Sequence, residues 1–160
     1  MPTAYPTNPG LLGAPIGSRA DGAMSRATNV EYQPFEVLHL DGVVSLCEEL
    51  GWPSYTDPSI ALAALLAPGA VTWVAVCDSE VIGLAHLLTD GLVQAHLSLV
   101  GVLPGHRRLG VARELVTRAF QSGGGKWLDV CAEIGSEEFY RSFRHQERSG
   151  FRVYPGDVDT

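Results

Sequence analysis

The chain has 160 residues, of which 46% are hydrophobic and 18% charged, a composition that suits one globular domain rather than a disordered chain. Eleven Lys and Arg stand against eighteen Asp and Glu, a net charge of −7, which argues against a nucleic-acid or anionic-membrane binder held by general charge. Between Glu31 and Leu103 there is no Lys or Arg but nine acids, and from Pro104 onward there are nine basic residues. Such a split is either chance on solvated faces or the mark of two charge-matched ligands on two halves.

Residues 1–28 read as a flexible Gly/Pro-rich tail, with eight Gly or Pro among the first 25 residues. The tail has no basic start and no sustained apolar segment, so it does not read as a secretory leader. No apolar run approaches the ~20 residues of a membrane helix. Cys47, Cys77 and Cys131 form no CxxC pair and lie in apolar stretches. They read as buried free thiols in a reducing, cytoplasmic setting, with neither a disulfide framework nor a metal site.

The domain is expected over 29–160. Tyr32 to Leu40 reads as a first strand. Asp41 is a plausible N-cap for a helix carrying Val43, Leu46, Cys47 and Leu50 at helical spacing, and Gly51 stops it. Asp57-Pro58 repeats the start signal before Ile60 to Leu66. Val71 to Cys77 and Val81 to Leu88, around Asp78-Ser79-Glu80, predict a hairpin. Asp90-Gly91 turns the chain into a third run, Leu92 to Leu103, in which Val93, Ala95, Leu97 and Leu99 alternate with Gln94, His96 and Ser98. The period then changes: Leu109, Ala112, Val116, Ala119 and Phe120 mark a helix with one buried face, ended by Gly123-Gly124-Gly125. Lys126 to Ala132 follows as a strand, and a strand–helix–strand crossover makes it parallel to the third run. Ser136-Glu137-Glu138 starts a last helix, and Gly150 to Tyr154 is a closing strand. The fold class is α/β: one mixed, mostly antiparallel sheet with helices on both faces.

The stretch Val102-Leu103-Pro104-Gly105-His106-Arg107-Arg108-Leu109-Gly110-Val111-Ala112 carries the chemistry. A strand ends, a turn follows and a helix opens on small residues. The first helical amides have no backbone partner, and with the helix dipole they form an anion site. Gly110 and Ala112 let phosphates approach the backbone, and Arg107 and Arg108 add charge. The stretch is neither a P-loop nor a Rossmann GxGxxG. The bland alternative is a basic helix start.

Arg107-x-x-Gly110-x-Ala112 after Val102-x-Pro104 resembles the acyl-CoA pyrophosphate motif of the GNAT superfamily of N-acetyltransferases. Phe139-Tyr140 followed by Gly150-Phe151 resembles that family's Phe-Tyr…Gly-Phe element, and the order of elements over about residues 30–154 is similar as well. One departure is that nine residues, Arg141 to Ser149, separate the two halves of the second element, where the family has only a few. A longer last helix or an inserted loop would account for them.

The resemblance implies transfer of an acetyl group from acetyl-CoA, with no metal, to an amine by direct attack in a ternary complex. It implies that the amides of Arg108, Leu109, Gly110, Val111 and Ala112 hold the pyrophosphate. Backbone groups near Val100 and Val102 would pair with the pantetheine arm where the sheet splays. Tyr140 matches the position that often protonates the departing thiolate, the alternatives being packing on the sheet or only a bond to the cofactor sulfur. His96 and Ser98 sit two residues apart on the third run, and His96 is a candidate base. Glu133 and an ordered water are the other candidates. Trp52, Ser54 and Tyr55 lie where relatives wall the acceptor site; a plain surface loop is the alternative. Arg141, Arg144 and Arg148 either reach the cofactor's adenylate phosphate or are solvated. A module that binds acyl-CoA as a sensor without turnover is the competing function. The acceptor is a small-molecule or peptide amine, and because an amine is a cation before it reacts, the acidic half would attract a cationic one. A homodimer is left open.

Overall fold

The computed structural model describes residues 29–154; the tail expected over 1–28 lies outside them. The chain forms two units that divide between Asp129 and Val130. The first contains β1 (Val30–Pro34), α1 (Leu40–Leu50), α2 (Pro58–Leu65), β2 (Ala70–Cys77), β3 (Glu80–Thr89), β4 (Gln94–Val102) and α3 (Val111–Gly123), together with all but the last residue of β5 (Trp127–Val130). The five strands lie in the order β1-β2-β3-β4-β5. The first four pair antiparallel and β5 lies parallel to β4, so the mixed sheet expected from the crossover is present.

Strand β1 ends at Pro34 and not at Leu40. The reason is a capping box: the Glu36 amide donates to Nδ1 of His39 at 2.9 Å, and Glu36 answers with its side chain. This turns Val37–His39 into a short 3-10 turn running straight into α1. Asp41 is therefore not the cap; it lies in the first turn of α1, where a carboxylate still suits the helix dipole. Val43, Leu46, Cys47 and Leu50 are all buried, and Gly51 closes the helix in the left-handed region at φ 72°. Asp57 caps α2 as read, accepting from the amides of Ser59 and Ile60. The hairpin closes through Asp78 (φ 50°) and Ser79 (φ 69°), the pair of positive values a two-residue turn needs.

Helices α1 and α2 cover one face of the sheet and α3 the other. A Cβ on Gly101 would strike Leu50 and Trp52, whereas one on Gly83 would meet Leu115 of α3. Leu46, Leu65, Ile82, Leu84, Leu87 and Leu115 are fully buried between these layers. Helix α3 buries Val111, Leu115, Val116 and Ala119. The expected stripe was rotated because Leu109 precedes the helix.

In the second unit α4 (Glu137–Arg141) has five residues. Ser136 donates to the carbonyl of Glu133 at 2.7 Å instead of capping, and the Glu137 carboxylate takes the amide of Gly135 at 2.8 Å. The nine-residue spacing after Tyr140 is thus a loop, since the helix stops at Arg141. Arg141 ties that loop to Glu138 (3.1 Å) and Glu147 (2.7 Å). Residues 150–154 are not a strand, which corrects the expected closing strand. Cys47 and Cys77 are buried, but Cys131 is exposed.

Candidate active site

The loop from β4 to α3 follows from its residues. Pro104–His106 form a 3-10 turn. Arg107 is extended (φ −73°, ψ 160°), and Arg108 (φ 65°) and Gly110 (φ 83°) are left-handed just before the helix. The N-cap of α3 is Gly110, with no capping side chain, and the first intrahelical bond runs from the Glu114 amide to the Gly110 carbonyl at 3.0 Å. The start of α3 is therefore an uncapped dipole end. Nothing lies within 4 Å of a Cβ built on Gly110; glycine is favoured here by φ, and the space beside it is open.

Arg107 does not point freely into that space. Its Nε donates to the carbonyl of Val102 at 2.9 Å, closing the loop onto the end of β4. Arg108 is exposed. Other cations are committed elsewhere. Arg118 binds Glu114 at 2.7 Å and lies over the rings of Tyr32 and Trp73, and Arg141 is held by its two carboxylates.

The amide of Leu103 bonds the carbonyl of Ile82 at 2.8 Å. In an antiparallel ladder the alternate residues Val102 and Val100 then turn their polar groups away from β3, toward the β5 side. Strand β5 has four residues against nine in β4, and the Lys126 amide just ahead of it bonds the carbonyl of Val93. It flanks only the first part of β4, so beside Val100 and Val102 no strand is paired among the described residues.

His96 is half-buried on β4 opposite Leu88, on the face that carries α1 and α2. Ser98 does not share that face by simple alternation. His86 pairs with Leu99 and Leu87 with Leu97, so Ser98 is the extra residue of a β-bulge. After the bulge, Leu99 and Gly101 take over the face of His96.

The connector from α1 to α2 lies over the same face. The indole of Trp52 rests on Gly101, where a Cβ would come within 2.5 Å of Cη2. The ring of Tyr55 stands edge-on to that of His86 at 6.3 Å. Ser54 is exposed. His86 is buried, with Nδ1 at 2.8 Å from the hydroxyl of Thr72, which in turn lies 3.2 Å from the Leu65 carbonyl at the end of α2. If the hydroxyl donates to Leu65, it accepts from Nδ1–H, and Nε2 carries the lone pair. Burial holds the His86 pKa down at about 4 and, with Cys47, raises that of Tyr55. Thus a neutral relay joins the end of α2, two central strands and the aromatic connector.

In the second unit, the Tyr140 ring packs edge-on to Phe139 at 5.0 Å. Burial first, and Glu133 second, push its phenol up to about 12.

The sequence profile of the acetyltransferase (GNAT) family matches residues 39–144. The chain belongs to this family. Its enzyme class is acyl-CoA-dependent N-acyltransfer. Solved structures agree on the fold. An acetyltransferase from Trypanosoma brucei is 22% identical with a TM-score of 0.63, over 79% of this chain and 100% of that one. An aminoglycoside N-acetyltransferase solved with CoA is 20% identical with a TM-score of 0.62, over 79% and 95%. A ribosomal-protein-alanine N-acetyltransferase from Brucella melitensis is 14% identical with a TM-score of 0.65, over 79% and 98%. No curated protein matches this chain. Among the described residues no helix is long and apolar enough to cross a membrane.

Two residues that pack against the connector, Gly101 and His86, were given no site role from the sequence, His86 having been weighed only as a metal ligand without partner spacing. A glycine inside a strand run signals a close approach, and a histidine inside Leu84-Ala85-His86-Leu87-Leu88 signals a buried polar group that needs a partner.

Proposed function

We propose that this GNAT acetyltransferase moves an acetyl group from acetyl-CoA to a small-molecule or peptide amine. What supports acetyl-CoA as donor is the uncapped start of α3, with Arg108 and Gly110 left-handed, next to the free edge of β4. The amides of Arg108 to Ala112 hold the pyrophosphate, with Arg107 bracing the loop through Val102. The amide of Val102 and the polar groups of Val100 receive the pantetheine arm and steady the thioester oxygen, a kind of contact worth roughly 3–4 kcal/mol at a developing oxyanion.

The acceptor lies against Trp52, Ser54 and Tyr55. A primary amine has a pKa of about 10.4 and must first lose a proton; His96 takes it, directly or through water, with Ser98 beside it on the bulge. The amine nitrogen then attacks the thioester carbon and the C–N bond forms; the second proton that this nitrogen must shed passes to solvent water as the C–S bond breaks and the thiolate leaves. Tyr140 supplies the thiolate's proton. Its phenol stays protonated at neutral pH. Transfer to a thiolate of pKa about 8.5 is uphill by roughly 3–4 units, near 5 kcal/mol, which a catalysed step accommodates.

Thiol release from acetyl-CoA with a panel of amines tests the reading, together with CoA calorimetry. Tyr140→Phe is expected to lower kcat about 10²-fold with CoA affinity nearly intact; unchanged kcat removes Tyr140 as the acid. CoA binding with no turnover on any amine points instead to a sensor module.

A further inference from the structure

The connector that carries Trp52 also holds a groove of about 430 Å3, lined by Glu48, Gly51, Trp52, Pro53 and Thr56. The indole is anchored along one edge by Gly101 of β4, and its backbone amide by the Cys47 carbonyl at 2.8 Å. Trp52 is half-buried in this way and also lines the groove. Glu48 is exposed in the last turn of α1 and has no ion-pair partner among the described residues. No Lys or Arg lies between residues 31 and 103 to compete for it. The groove also borders the C-terminus of α1, the negative end of a helix dipole. An aromatic face, a free carboxylate and a helix C-terminus share one preference, an alkylammonium or guanidinium cation.

We propose that this groove is a subsite for a second positive centre on the acceptor, so that the acceptor is a diamine or a larger molecule carrying two cationic groups. The inference rests on the acetyl-transfer reading above. Gly101 lies between Val100 and Val102, which that reading gives to the acyl-CoA arm, and the Trp52 indole leads from Gly101 to the groove. One amine reacts at the edge of β4 while the other is held by Trp52 and Glu48.

Thiol release at saturating acetyl-CoA should be compared for 1,5-diaminopentane and n-pentylamine at matched ionic strength. The expected kcat/KM is roughly tenfold higher for the diamine, with the advantage shrinking as salt rises. Glu48→Gln should lower the diamine's kcat/KM severalfold more than the monoamine's, and Glu48→Lys should reverse the preference. Because Glu48 is exposed, both variants should melt like the parent, which a thermal scan confirms. Equal kcat/KM for the two amines, or variants that slow both alike, overturns the subsite while transfer stands. If CoA binds and neither amine is acetylated, the transfer reading for such amines fails and takes the subsite with it.

Discussion

The loop after β4 and the connector between α1 and α2 both serve β4, and they are built from different material. The loop works through backbone: left-handed Arg108 and Gly110, an uncapped helix start, and one arginine folded back on a carbonyl. The connector works through side chains: an indole seated on Gly101, a phenol against a neutral buried histidine, and a free carboxylate at the rim. Each depends on one glycine for a different reason. Gly110 has open space around its Cβ position but φ of 83°, while Gly101 has no room for a Cβ at all. A backbone site recognises a group common to all its ligands. A side-chain site is where one chain can differ from its relatives.

The largest expected effect falls on the side-chain region. The ordinary pKa of histidine is 6.5 and burial lowers that of His86 to about 4. Between these values the unfolded chain binds a proton that the folded chain refuses. Stability is therefore fully present above pH 6.5, falls as the pH drops toward 4, and shows no further loss from this group below that. The span corresponds to about 3 kcal/mol. Tyr55 and Cys47, both shifted upward, stay neutral throughout this window. Urea midpoints from pH 7 to pH 4 measure the slope. His86→Asn, which keeps a donor for Thr72, should flatten it; an unchanged slope would assign it to other groups.

Gly101→Ala comes next. The new methyl would sit 2.5 Å from Trp52 and 2.6 Å from Leu50, and overpacking of this kind costs about 1–3 kcal/mol. If Trp52 is displaced, KM for the amine should rise severalfold while CoA affinity, read by calorimetry, changes little. Loss of both together would mean that the connector and the loop are not separable.

The asymmetry between the two regions also explains what could be read from the sequence. The strands and helices of the first unit follow from periodicity, caps and turns, and the left-handed backbone of the loop after β4 is foreshadowed at Gly110, a residue type that tolerates positive φ. The His39 capping box was missed because a histidine ring accepting a backbone amide has no compositional signature, and Asp41 was the nearer candidate. The bulge at Ser98 was missed because a single unpaired residue leaves an alternating pattern nearly intact while changing which side chains share a face beyond it. The closing strand failed because apolar residues near a chain end suggest a strand whether or not a partner is there. The Trp52–Gly101 and Tyr55–His86 contacts join residues far apart in sequence, and only packing reveals them.

Gly110→Ala and Gly110→Asn probe the backbone region with the smallest expected change in stability. A left-handed conformation costs an alanine about 1 kcal/mol, and asparagine tolerates it better, so Asn should recover part of the loss. Neither side chain meets protein, since the space around the Cβ is open. That space is also where a phosphate would lie if the loop amides hold it. Both variants should weaken CoA about tenfold or more whatever their melting temperatures, because a Cβ obstructs the ligand even where the backbone is relaxed. If Asn restored stability and CoA affinity in parallel, φ at Gly110 would be serving the fold alone. If CoA weakened in both while His86→Asn and Gly101→Ala left it intact, the backbone and side-chain sites would be physically independent, and the acceptor could change without disturbing the donor.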